Sequence, residues 1–203
     1  MRLSRTAAAL AAAVALAGCF DEPVPAEKTV PPEARVYLQD RKLKDLSSCK
    51  ALFAKAETID YVNLDRNELE KFPEELATLK SLKWLRLNSN RLSSLPDLSA
   101  LVSLRRIYLS HNRFDKVPET LSKLPSLTDI DLSNNPISEI PDWLAAKTGL
   151  ESLNFSGTGV KALPKDLSAW KDSLILLRLG DLKLAPEEMS RIRTALPGTT
   201  VAF

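Results

Sequence analysis

Histidine occurs once in these 203 residues, cysteine twice, and aromatic side chains make up only 6% of the chain. A lone His with no nearby Cys or Ser nucleophile composes no triad, and one His among scattered acids composes no zinc site. Two cysteines define neither a disulfide framework nor a metal cluster. A phosphate-cradling loop is missing too, so no motif points to an enzyme or to a cofactor. With so few aromatics, the 44% of apolar residues must build a core mostly from leucine. Charge of one sign is also absent. The formal charge is +2, and setting aside Arg2 and Arg5 leaves 26 basic against 26 acidic side chains. Nucleic-acid binding runs on phosphate neutralisation, so a neutral body with interspersed signs argues against it.

One apolar run stands apart, at the N-terminus. Arg2 and Arg5 precede the Ala- and Leu-rich stretch from Ala7 to Ala17. A stable membrane span takes about 20 apolar residues, so this run reads as an export signal. It ends in Leu16-Ala17-Gly18-Cys19, which resembles the lipobox of bacterial lipoproteins. The resemblance implies cleavage before Cys19, a diacylglycerol on its thiol and an acyl chain on its amine. Several acyl chains anchor firmly where one does not. On this reading residues 1–18 are a lipoprotein signal peptide, and the covalent lipid on Cys19 is the one non-protein group expected. The alternative is an ordinary secretory signal ending at Ala17-Gly18. Phe20, not Asp, follows the cysteine, which by lipoprotein sorting behaviour favours the outer membrane of a Gram-negative envelope. Residues 19–33 contain four prolines and little to bury, and read as a tether reaching about 40 Å. Cys49 belongs to an apolar-periodic segment with Leu46, Leu52 and Phe53, and is expected to be buried as a packing residue.

Self-similarity governs the remainder, residues 34–203. Around Asn67 stand Ile59, Val62, Leu64, Leu69, Phe72, Pro73, Leu76 and Leu79. Around Asn90 stand Leu82, Leu85, Leu87, Leu92, Leu95 and Pro96, and equivalent sets surround Asn112 and Asn135. A fifth copy carries Thr158 in place of the Asn. The key positions step by 23, 22, 23 and 23 residues. The pattern L-x-x-L-x-L-x-x-N-x-L-x-x-L-P-x-x-L resembles the leucine-rich-repeat family, in its 23-residue class. The resemblance implies an α/β right-handed solenoid with a parallel β-sheet on its concave face, short helical, 3₁₀ or extended arcs on its convex face, and atypical capping repeats.

Each element has a physical reason. Period-two alternation makes a short strand with leucines on one face. One strand cannot bury that face, but stacked parallel copies create a continuous core. Asn67, Asn90, Asn112 and Asn135 satisfy backbone groups where the chain leaves the strand, forming a structural ladder. The shorter Thr158 hydroxyl meets only part of that demand. Proline after the strand removes a donor and keeps the outer arc from becoming a long helix. Partial repeats cap both ends: Val36 to Leu46 at the front, followed by an expected helix over Ser48 to Glu57, and Leu174 to Leu184 at the back. Pro186 then opens a short helix to Leu196, and residues 200–203 form a last strand.

Parallel stacking puts the outward residues in columns. The first reads Arg35, Tyr61, Trp84, Arg106, Asp129, Ser152, Leu176, and the middle one Tyr37, Asn63, Arg86, Tyr108, Asp131, Asn154, Arg178. Tyr37, Tyr61, Trp84, Arg86, Arg106 and Tyr108 therefore cluster on the N-terminal half, in the residue types that dominate binding hot spots. The competing expectation is cross-strand packing alone, with Arg86 stacked on Trp84. Asp129 and Asp131 resemble a carboxylate pair, but Arg106 beside Asp129 makes a solvated ion pair the better reading. Trp143 and Trp170 fall on the convex arc, where they cover the core. Together these features predict a lipid-anchored recognition module of a bacterial envelope that binds a protein or peptide and not nucleic acid. Envelope glycan stacked on Tyr61, Trp84 and Tyr108, or a purely structural role, are the alternatives. Proteins of the resembled family mostly act as interaction scaffolds.

Overall fold

The computed structural model describes residues 34–54 and 56–203. The expected signal peptide, Cys19 and the tether lie outside them. Among the described residues eight short strands form one parallel sheet in sequence order: β1 (Ala34–Tyr37), β2 (Ile59–Asn63), β3 (Trp84–Arg86), β4 (Arg106–Tyr108), β5 (Asp129–Asp131), β6 (Ser152–Asn154), β7 (Leu176–Arg178) and β8 (Thr200–Ala202). The neighbour of each strand is its own next copy, so one repeat length fixes the register of the whole sheet. Trp84 pairs with Arg106, Arg106 with Asp129 and Asp129 with Ser152. Arg86, Tyr108, Asp131 and Asn154 run beside them in the second column.

Alternation sets which side is dry. Val62, Leu64, Leu85, Leu87, Ile107, Leu109, Leu132, Leu153 and Phe155 are fully buried, while the residues between them face outward. The core is one continuous column from Val36 to Leu196. The outer arcs are short, as proline dictates. 3₁₀ turns follow Pro73 and Pro118, at Glu74–Thr78 and Glu119–Lys123, and a single α-turn, α1 (Asp142–Ala145), follows Pro141. After Pro96 there is no helix, because this repeat is the one of 22 residues and the missing position falls between Pro96 and Leu98. The Leu98 N–H, left without a helical partner, donates instead to Thr120 Oγ1 in the next repeat at 3.0 Å. Trp170 is entirely buried and its indole N–H meets the Leu144 carbonyl at 3.0 Å; Trp143 packs partly buried on the same arc.

The asparagine ladder is present and explains why four copies share one residue. Asn112 Nδ2 donates to the carbonyls of Leu87 and Leu109 at 2.9 and 3.0 Å, and its Oδ1 accepts from Leu92 N–H at 3.0 Å. Asn90 and Asn135 repeat this set, and Asn67 ties the same groups to the front cap through Leu38 and Leu43. Thr158 Oγ1 makes one such bond, to Phe155.

Two features depart from expectation. The helix over Ser48 to Glu57 is instead a 3₁₀ turn at Ser47–Phe53 and a shorter one at Ala56–Thr58. Leu46, Cys49 and Leu52 recur every three residues, which matches the three-residue turn of a 3₁₀ helix better than 3.6. The residue before each ladder position is left-handed: Arg66, Ser89, His111 and Asn134 all have φ between 53 and 55°, followed by Gly157 at 68°. Nothing in the repeat pattern announces this, since only one of the five is glycine. Cys49 is 2% exposed and packs in the core as expected. At the back, α2 (Pro186–Ala195) opens on Pro186, buries Ile192 and leads to β8.

Candidate binding face

The outward aromatics form one contiguous run across β1 to β4. Tyr37 and Tyr61 are 5.3 Å apart between ring centroids. Tyr61 meets Trp84 edge to face at 5.1 Å, and Trp84 meets Tyr108 edge to face at 5.8 Å. The run crosses from one column to the other because alternate tyrosines sit in the middle column. All four rings are half-buried, so each lends one part to its neighbours and keeps another part exposed. Burial pushes the Tyr61 and Tyr108 phenols above their ordinary value, with Asp129 adding to the rise at Tyr108, so both stay protonated at neutral pH.

Guanidinium groups lie on the ring faces. Arg35 is over Tyr61 at 5.9 Å, Arg106 over Trp84 at 5.2 Å and Arg86 over Tyr108 at 5.6 Å. The expected stacking of Arg86 on Trp84 is therefore corrected: Arg106 takes that ring. Arg86 reaches back one strand to Asp65, with Nε at 2.7 Å and Nη2 at 2.5 Å from Oδ2. Asp65 is 2% exposed and also accepts the Asn88 N–H at 2.8 Å. A carboxylate so buried requires its cation. Arg86 thus holds the turn together as well as lining the face, a role sequence reasoning missed because Asp65 lies two residues past the end of β2 and carries no motif.

Asp129 and Asp131 do not act as a pair. Asp129 lies 3.6 Å from Arg106 and accepts from Thr128 Oγ1, as the ion-pair reading expected, while Asp131 accepts from Ser133 N–H and Oγ. His111 occupies an exposed left-handed turn position. Among the described residues no group of three or more His, Cys, Asp or Glu is placed to hold a metal ion. Further cations, Lys83 and Arg105, stand just before β3 and β4 and border the same face. Their signal in the sequence was their position directly upstream of a strand, at the rim of the columns.

Comparison with known proteins accords with this geometry. A family model described as leucine rich repeat matches residues 57–114, and one described as two copies of leucine rich repeats matches residues 102–146. The architecture is a leucine-rich-repeat solenoid. Solved structures share it: the plant peptide hormone receptor RGFR1 in complex with RGF2 is 23% identical with a TM-score of 0.57, covering 71% of this chain and 24% of that one. An internalin of Listeria monocytogenes is 22% identical with a TM-score of 0.58, covering 80% of this chain and 51% of its own. At such identities the likeness is one of fold. A protein phosphatase PHLPP-like protein of Drosophila melanogaster is 41% identical over 59 residues, which is 29% of this chain and 6% of the fly protein. The chain spans a small part of that relative.

Proposed function

We propose that this leucine-rich-repeat solenoid is a recognition module that binds a protein or peptide across β1 to β4 of its concave face. The observation that carries this reading is the contiguous run Tyr37, Tyr61, Trp84 and Tyr108, half-exposed and flanked by Arg35, Arg86 and Arg106. Aromatic rings and guanidinium groups combine contact area with polar handles, which is what binding hot spots use. A plant receptor of the same fold carries a bound RGF2, which supports a peptide or protein ligand. Glycan stacking is less well served, because one face of Tyr61, Trp84 and Tyr108 each carries a guanidinium. Catalysis has no residues assigned to it here.

In the same reading residues 1–18 are removed, Cys19 carries the lipid, residues 19–33 space the body from a bacterial membrane, and residues 34–203 recognise the partner. The thioether requires the Cys19 thiol. Mass spectrometry of the N-terminal peptide from membrane-extracted protein tests this: a diacylated Cys19 is expected, and a Cys19–Cys49 disulfide or an unmodified thiol would refute the anchor.

Affinity capture from envelope extract tests the binding face. The bait is residues 20–203, run beside the same domain with Tyr37, Tyr61, Trp84 and Tyr108 changed to Ser. Arg86 stays in place, because losing it would strand the Asp65 carboxylate. A protein retained by the first bait and lost by the second is expected. Equal recovery from two baits with matching thermal midpoints would sink the proposal.

A further inference from the structure

Resting on the concave-face reading, we infer that the segment this solenoid grips is an acidic peptide, with its carboxylates seated where β1 to β4 begin. Tyr61 and Trp84 form the floor of a cavity of about 180 Å³ at that edge of the sheet. Arg35, Lys83, Arg105 and Arg106 surround it, against Asp60 on the wall. Arg35 and Arg105 are exposed and make no ion pair among the described residues. Lys83 approaches Asp60 and Arg106 approaches Asp129, each at 3.6 Å, with the two cations about half-exposed at 54% and 47%. Long, solvated pairs of this kind are weak, so a partner's carboxylate competes with them on good terms. Positive charge is therefore in local excess on a chain whose body is neutral overall.

Two buried polar atoms refine the class of ligand. Trp84 Nε1 has no acceptor and Asp60 Oδ1 has no donor among the described residues. Unpaired buried groups are costly, and they concentrate where a ligand completes them. A peptide brings a carbonyl for the indole and an N–H for the carboxylate. A bare phosphate or sulfate brings acceptors only and would face Asp60 with like charge. Both atoms lie beneath neighbouring side chains, so engaging them moves a neighbour, and the half-exposed Lys83 and Arg106 have room to shift. Along the sheet the sign then reverses. Asp129 and Asp131 on β5 and Glu151 just before β6 carry negative charge, so the acidic segment is held over β1 to β4 and disfavoured over β5 and β6.

The test presents the full chain, in mild detergent, with an array of random nine-residue peptides, beside two variants. One carries Arg35→Glu and Arg105→Glu, both at exposed positions, and the other Trp84→Ser and Tyr108→Ser. Peptides rich in Asp and Glu should be enriched, bind about tenfold more weakly at 0.5 M salt, and be lost from both variants. Neutral or basic peptides retained by the charge variant but lost from the aromatic one would overturn the acidic assignment and leave the concave-face reading standing. Peptides bound equally by all three proteins would overturn both. Retention on phosphatidylglycerol vesicles through Arg35 and Arg105, with no peptide enriched, would overturn the inference in favour of a membrane-facing patch.

Discussion

The front and back of this solenoid solve the same turn in different ways. From Asn67 to Asn135 one side chain per repeat closes the turn, donating to carbonyls of its own and the preceding copy and accepting at least one N–H from the preceding copy. Behind Gly157 that work is divided. Thr158 meets one carbonyl, Ser156 Oγ accepts the Gly180 N–H at 3.1 Å, and Glu188 on α2 accepts the Leu163 N–H at 2.8 Å. Arg191 completes the clamp, pairing with Glu188 at 2.8 Å while donating to the Leu163 and Pro164 carbonyls. The front is held by repetition and the back by particular residues. The outward faces differ in the same sense: aromatic and basic from β1 to β4, small, polar or acidic at β5 and β6.

Breaking the ladder should have the largest effect. Asn112→Ala strands three backbone groups in a dry turn, at a cost of about 3 kcal/mol or more, whereas Thr158→Ala removes one partly exposed bond for about 1 kcal/mol. Urea unfolding of the two variants measures the difference, and equal losses would erase the distinction between front and back.

Turn geometry comes next. At Gly157 a Cβ would stand 2.4 Å from Asn134 Oδ1 at a φ of 68°, so Gly157→Ala should destabilise by about 2 kcal/mol. Ser89 holds the same left-handed conformation at 54°. Ser89→Gly should therefore stabilise, by under about 1 kcal/mol once the added freedom of the unfolded glycine is counted. Thermal melts of the pair should move in opposite directions.

Between these in size lies the clamp. Arg191's hydrogen bonds hold the Glu188 carboxyl below its ordinary value. A depressed acid stabilises the fold at neutral pH and loses that contribution as pH falls through its folded-state value. Glu188→Gln should cost about 1 kcal/mol at pH 7, and progressively less as the pH falls below the ordinary carboxylate range. Hydrogen exchange in α2 reads this out, and a pH-independent cost would show that the charge is incidental.

The columns of the sheet were legible in the sequence because a fixed step carries equal positions into register. Asn67 to Asn135 were legible because one hydrogen-bonding duty recurs. Guanidinium partners were not. Arg86 had an indole within its own strand and a carboxylate one strand back, and burial of Asp65 decided between them. Sequence spacing cannot express that competition. The left-handed turns escaped for a related reason: Arg66, Ser89 and His111 have nothing chemical in common, and the conformation is imposed by the repeat around them. Lys83 and Arg105 escaped because the columns are defined by strand positions, and both residues stand immediately upstream of a strand.

The arc after Pro96 carries a geometric consequence. Stacked strands advance about 4.8 Å per copy, whereas a helix takes up roughly 10 Å of width, so helical arcs wedge the outer side of a solenoid open. One residue fewer before Leu98 leaves that arc without the 3₁₀ turn that follows Pro73 and Pro118. A narrower arc there should let the solenoid open less beside β3 and β4, where Trp84 and Tyr108 sit. A partner docking there would then meet a flatter surface, whose radius answers to chain length on the opposite side of the molecule.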